Sequence, residues 1–218
     1  MAVTWSDDVD EILASDLAAD FAYLTPAKGV VMVPMAPLGI RDREAGTVTL
    51  STSQGLWKKL DRIRRNPGVA VAYHARELGM TDRPGFVLVQ GRASFKTVPD
   101  REWLESITPE WERFLGPRLR GPARRLLDVY YWKRVAITIQ VDRIVAYPDN
   151  AAEEEPQIFG TELPAPAPPQ SAPKGGTEPR VDVARVAEHA RRLPHTLLGW
   201  CGADDLPNVI PVSVTERA

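Results

Sequence analysis

Between Val48 and Tyr73 the chain reads VTLSTSQGLWKKLDRIRRNPGVAVAY, an order that leaves little freedom in how it folds. Val48 and Leu50 open a short strand that meets a hydroxyl cluster at Ser51, Thr52 and Ser53 and passes through Gly55 into a helix. The helix is expected to begin near residues 55–56 and run to about Arg65, because Leu56, Leu60 and Ile63 recur at helical spacing. Asn66-Pro67-Gly68 stops it, and Val69, Val71 and Tyr73 alternate as the next strand. Hydroxyls and free N–H groups ahead of a helix whose first turn carries lysines suit an anionic ligand, a phosphate above all. The same residues also suit a surface helix with solvated basic side chains.

Charge is local rather than global. The net charge is -2 over 218 residues, which gives no electrostatic case for nucleic acid. Yet Lys58, Lys59, Arg62, Arg64 and Arg65 crowd one segment against Asp61, and a second basic group spans 113–134. Such clustering fits a confined anion site better than a field over the whole surface. A single cysteine, Cys201, precludes an internal disulfide and reads as a small buried hydrophobe. His74, His189 and His195, scattered along a chain with one cysteine, offer no zinc spacing. The acidic N-terminus and the lack of a long apolar run lead to the expectation of a soluble, cytoplasmic protein with no membrane segment.

The rest of the chain supplies strands with little helix between them. Residues 6–20 predict a helix with an acidic first turn. Residues 21–25 and 30–35 predict a hairpin about Pro26–Gly29, with Pro34 marking its second strand as an edge. Residues 47–50 form a third strand, and 86–95 (FVLVQGRASF) a long one. Gly91 within it signals a bulge or a close neighbour. A helix is expected over 99–116 with Trp103, Ile107 and Trp111 along one side, then strands over 135–141 and 144–147. This irregular mixture predicts an all-β dominated, mostly antiparallel barrel with short helices and Greek-key-like connections. No Gly-x-Gly-x-x-Gly or Walker lysine loop is present. Nor is there a Ser–His–Asp or paired-carboxylate signature, so no catalytic residue is assigned. His74 suits a proton donor or a structural role, and Tyr130, Tyr131 and Trp132 suit either ring stacking or packing.

Residues 150–180, rich in proline and alanine, read as a linker or arm that closes a first domain over 1–149. Residues 181–218 then offer a helix and a proline-containing hairpin like those of the first fifty residues. They suggest the truncated start of a second copy. A helix and hairpin of this size does not fold well alone, so it either packs on the first barrel or belongs to something longer.

Taken in order, the early hairpin with Pro34, the strand ending in Ser51-Thr52-Ser53, the helix with Lys58 and Asn66-Pro67, and the strand with Gln90-Gly91-Arg92 resemble one family. It is the pyridoxamine 5'-phosphate oxidase-like split β-barrel family, whose relatives bind FMN or the deazaflavin F420. The resemblance spans roughly residues 10–148. It implies a homodimer with cofactor clefts at the subunit boundary and a small-molecule substrate. Ser51, Thr52, Ser53, Lys58 and Lys59 would hold the cofactor phosphate. Val33, Pro34 and Met35 would line the ring edge, with a polar contact from Gln90 and curvature at Gly91. The implied activity is that of an FMN-dependent, or F420-dependent, oxidoreductase. The alternative is a non-catalytic flavin- or haem-binding or assembly module on the same barrel. No Arg–Trp–Pro type ending follows Tyr147, so vitamin B6 oxidation itself is not implied.

Overall fold

A computed structural model describes residues 2–117, 131–166 and 182–214. Helix α1 (Asp7–Ser15) is capped by Ser6, whose hydroxyl accepts from the Val9 amide, and carries Asp7, Asp8 and Asp10 in its first turn. Strands β1 (Ala19–Leu24) and β2 (Val30–Met35) form the first hairpin, with Phe21 opposite Val33 and Ala19 opposite Met35. A two-residue strand, β3 (Arg41–Asp42), precedes β4 (Thr47–Ser53), helix α2 (Trp57–Arg65) and β5 (Gly68–Tyr73). The long strand β6 (Phe86–Phe95) is followed by α3 (Arg101–Ser106) and α4 (Thr108–Leu115), which break at Ile107 where one helix was expected. Strand β7 (Arg134–Tyr147) is a single 14-residue element covering both strands expected there. Ile137, Ile139 and Val141, then Ile144 and Val145, keep it buried along its length.

The strands pair antiparallel throughout, in the order β2-β1-β5-β6-β7-β4-β3. β2 and β4, far apart in that ladder, come back into contact without pairing, so the sheet curls into a barrel with a seam between them. Inside lie Phe21, Tyr23, Leu50, Val69, Val71, Tyr73, Val89, Ile137 and Ile139, with Leu60 and Ile63 of α2 closing over them. Pro34 sits exposed on β2, which among the described residues has β1 as its sole ladder partner. The register of β6 on β7 shifts between Gln90 and Gly91, and a Cβ at Gly91 would stand 2.1 Å from the Gln140 carbonyl oxygen. The glycine is required by that close approach.

Two expectations need revision. Residues 150–180 are not linker throughout: β8 (Gln157–Gly160) pairs with β7 and extends the sheet. Its short, largely exposed sequence gave no period-2 signal against the prolines around it. The expected arm prolines Pro168, Pro169, Pro173 and Pro179 lie outside the described residues, as do Tyr130 and residues 215–218.

The C-terminal segment, in turn, finds no support as a second barrel. Helix α5 (Val183–Arg192) leads to strands β9 (Leu197–Cys201) and β10 (Pro207–Pro211), a two-stranded sheet that packs on β1, β2, β5 and β6. Val209 and Leu197 join Ala22, Ala70, Ala72, Phe86 and Leu88 in a small core outside the barrel. The alanines explain the fit, since small side chains on the adjacent strands β1 and β5 leave a shallow bed for the hairpin. Buried Arg143 fastens it, donating to the Gln90 amide oxygen at 2.8 Å and to Asp204 at 2.8 Å.

Candidate functional site

The end of β4 is where hydroxyls and positive charge meet. β4 alternates as a strand must: Val48 and Leu50 enter the barrel core, while Thr49 faces Thr138 across the ladder at 3.2 Å between hydroxyls. The same alternation puts Thr52 on the inner side with Leu50, and Ser51 and Ser53 on the outer side with Thr49. Ser53 stands opposite Arg134 at the start of β7. The Arg134 guanidinium reaches back to donate to the Ser51 hydroxyl at 3.0 Å and to the Ser51 carbonyl at 2.8 Å. It also lies over the Trp111 ring, 4.9 Å from the centroid. Ser53 accepts from the Gly55 amide at 3.2 Å, which shapes the turn into α2.

Helix α2 settles which lysine enters the cluster. Lys58 is exposed, whereas Lys59, one residue on, is 6% exposed and shares the inward side with Leu60 and Ile63. Its ammonium donates to the Met35 sulfur at 3.6 Å and lies 6.0 Å from the centre of the Phe21 ring. Among the described residues it forms no ion pair. Burial, with the like charge of Arg134 behind it, brings this ammonium down to about 8. A buried cation with no counter-ion among the described residues is costly, and groups perturbed in this way cluster at functional sites.

The structure therefore brings Lys59 to Met35 and Arg134 to Ser51, with Thr52 and Ser53 beside Ser51 at the end of β4, and with Val33 half-buried and Pro34 exposed beside Met35 on β2. Lys58 borders the cluster from the solvent side. Gln90 does not join it. Its side chain points to the opposite face of the sheet, where its amide donates to the Pro207 carbonyl at 2.7 Å and to Asn208 at 3.1 Å. An alternating strand with a bulge at its centre cannot be assigned faces from sequence alone, and the bulge at Gly91 lies next to Gln90. Gly91 acts through its contact with Gln140 in the ladder.

Arg134 was missed as a site residue, although it closes the basic segment noted in the sequence. What hid it was the register, since its place opposite Ser53 depends on how β7 pairs with β4. The aromatic residues nearby pack on one another. Tyr131 meets Trp111 and Trp132 edge-on, with centroids 5.2 and 4.9 Å apart. His74 bonds Asp20 at 2.6 Å and stands edge-on to His195, tying β5 to the C-terminal segment. Cys201 is buried, as expected of a small hydrophobe. Among the described residues no group of three His, Cys, Asp or Glu side chains could hold a metal ion, and no helix is long and apolar enough to cross a membrane.

No protein-family model matches the chain, and no curated protein matches it in sequence. Solved structures match it in fold. A conserved hypothetical protein from Mycobacterium tuberculosis superposes with a TM-score of 0.50 at 22% identity, covering 69% of this chain and 88% of that one. General Stress Protein 26 from Bacillus anthracis gives 0.46 at 16% identity, over 71% and 97%. A Clostridium acetobutylicum protein related to general stress protein 26, of the pyridoxinephosphate oxidase family, gives 0.45 at 12%, over 64% and 85%. At such identities the likeness is one of fold. That fold is the β-dominated, antiparallel split barrel with short helices that the sequence led us to expect.

Proposed function

We propose that the protein is an oxidoreductase that binds FMN, with F420 as the alternative, and moves hydride between that cofactor and a small molecule. The observation that carries this reading is the Lys59 ammonium, buried against Met35 with no carboxylate partner among the described residues. It fits an anionic group, and the hydroxyls of Thr52 and Ser53 and the exposed Lys58 supply further donors for the oxygens of a phosphate, with the positive charge of Arg134 adding to the field. Ser51 serves by holding Arg134 in place. Val33, Pro34 and Met35 offer an apolar strand edge for a flat ring.

Either cofactor supplies the hydride chemistry when bound. The chain's own work is then to bind and orient. The cationic pair Lys59 and Arg134 fixes the phosphate end, while Met35 and the Phe21 ring keep water from the inner side of that contact. No side chain is assigned as acid or base, in keeping with hydride transfer that needs none from the protein. The reading includes a cytoplasmic homodimer whose partner would complete the ring end of the cleft.

Absorbance of the purified protein and titration with FMN and with F420 test the reading, followed by turnover with reduced cofactor and a panel of quinones and enones. Binding with turnover supports it. Binding without turnover points to a storage or sensing module, and failure of both cofactors to bind at micromolar concentration removes it.

A further inference from the structure

Helix α5 leaves its apolar side in solvent. Arg185, Val186, His189, Ala190 and Leu193 share one arc of it at helical spacing, and Val186 and Leu193 are 53% and 62% exposed. The Thr196 hydroxyl donates to the Ala190 carbonyl at 3.3 Å, which sets the helix against the start of β9. Between them runs an open groove of about 480 Å³, with Val186, Leu193 and Leu197 as its apolar part and Arg185, His189 and His195 as its polar part. No carboxylate among the described residues lines it. His195 is engaged by Glu77, whereas Arg185 forms no ion pair among the described residues. The same chain carries the complement of this groove. Residues 151–163 (AAEEEPQIFGTEL) hold Glu153, Glu154, Glu155 and Glu162 without a lysine or arginine. The three consecutive glutamates are exposed and form no ion pair among the described residues. Ile158 and Leu163 stand exposed beside them, and among the described residues β8 pairs only with β7, so this edge of the sheet is open.

We infer that the groove beside α5 docks a second copy of this chain, receiving the acidic edge about β8 of that copy. Glu153, Glu154 and Glu155 would approach Arg185 and His189, while Ile158 meets Val186 and Leu193. Opposite charges steer the two surfaces together and fix their register, and the apolar side chains supply the burial. In a two-fold pair each chain gives one groove and one edge, so the contact is made twice. A concave groove suits a chain segment better than a flat anionic membrane, against which an amphipathic helix lies by its whole apolar side. None of these residues belongs to the seam between β2 and β4. The contact is therefore separate from the partner expected at the cofactor cleft, and it does not depend on FMN or F420.

The test mixes full-length chains carrying Leu193→Cys with chains carrying Ile158→Cys under mild oxidation and identifies disulfide-linked peptides by mass. In that mixture a link between positions 158 and 193 joins two chains. It is expected to form roughly tenfold faster than the link between positions 158 and 98 when Val98→Cys, at an exposed position outside the groove, replaces Leu193→Cys, and to slow at high salt. Arg185→Glu on the groove chain should remove most of that excess. Glu154→Arg with Glu155→Arg on the edge chain should restore it, which a misfolded groove would not allow. A link at 193 no faster than at 98 overturns the inference. Retention of the groove chain on vesicles of anionic phospholipid without the link also overturns it and assigns the groove to a membrane surface. Failure of FMN and F420 to bind leaves the linkage result standing.

Discussion

The Lys59 ammonium ends 3.6 Å from the Met35 sulfur, and among the described residues no carboxylate pairs with it. A thioether is a weak acceptor, so this charge is buried at a cost that the folded chain alone does not recover. Lys59→Met keeps the stem and removes the charge. It is expected to raise stability at pH 7 by about 1–3 kcal/mol, measured by urea denaturation. The same variant should lose phosphate affinity, a gain in stability against a loss of binding.

The lowered Lys59 value also sets a pH dependence. Unfolded, the amine titrates near 10.5, and folded near 8, so between these values the unfolded chain holds the extra proton. Stability should therefore rise with pH across that window, by at most about 3 kcal/mol, and be flat in this respect below it. Lys59→Met should lack the rise. Phosphate-ligand affinity should run the other way, falling above pH 8 as the free ammonium is neutralised.

Gathering Lys59 with Arg134 at one seam makes the two side chains distinguishable from Lys58. Lys59→Ala and Arg134→Gln should each weaken FMN or F420 binding roughly 10–100-fold, the scale of a lost charge-assisted hydrogen bond in a shielded site. Lys58→Ala, at an exposed position, should cost about threefold or less. Calorimetric titration of the three variants checks the ranking, and equal losses would place the phosphate on the solvent side of α2.

Away from the site, Gln90 is fully buried and bonds Arg143, Pro207 and Asn208 at once. Gln90→Leu strands the Arg143 Nε–H and the Pro207 carbonyl together. A loss of about 2–4 kcal/mol is expected, with faster amide exchange concentrated in residues 197–211. Exchange unchanged in that hairpin would mean that the buried network does not hold it.

Much of this architecture was legible in the sequence because each piece had its own local signal. β2 and β6 could be delimited from alternation and flanking turn residues, and α2 from Leu60 and Ile63 against Asn66-Pro67-Gly68. The hydroxyl run and the basic helix were visible for the same reason. What could not be read were relations between distant segments. Which of two adjacent lysines turns inward depends on a few tens of degrees of helix rotation, and Lys59 rather than Lys58 lies on the buried side. The place of Arg134 beside Ser51 depends on the register of β4 and β7, separated by more than eighty residues. The hairpin at 197–211 resembled the first one because both are apolar strands about a turn, a pattern that says nothing of where the strands pack. Its bed of Ala22, Ala70 and Ala72 exists only after β1 and β5 have paired.

A ring-bearing phosphate cofactor is expected to sit with its phosphate against Lys59 and Arg134. Fluorescence titration of the full chain with FMN, and with riboflavin as the same ring lacking the phosphate, tests it directly, with F420 run alongside. Micromolar binding of FMN or F420 is expected and, where FMN binds, riboflavin weaker by about tenfold or more. Riboflavin binding as tightly as FMN, or neither FMN nor F420 binding at micromolar concentration, would contradict it.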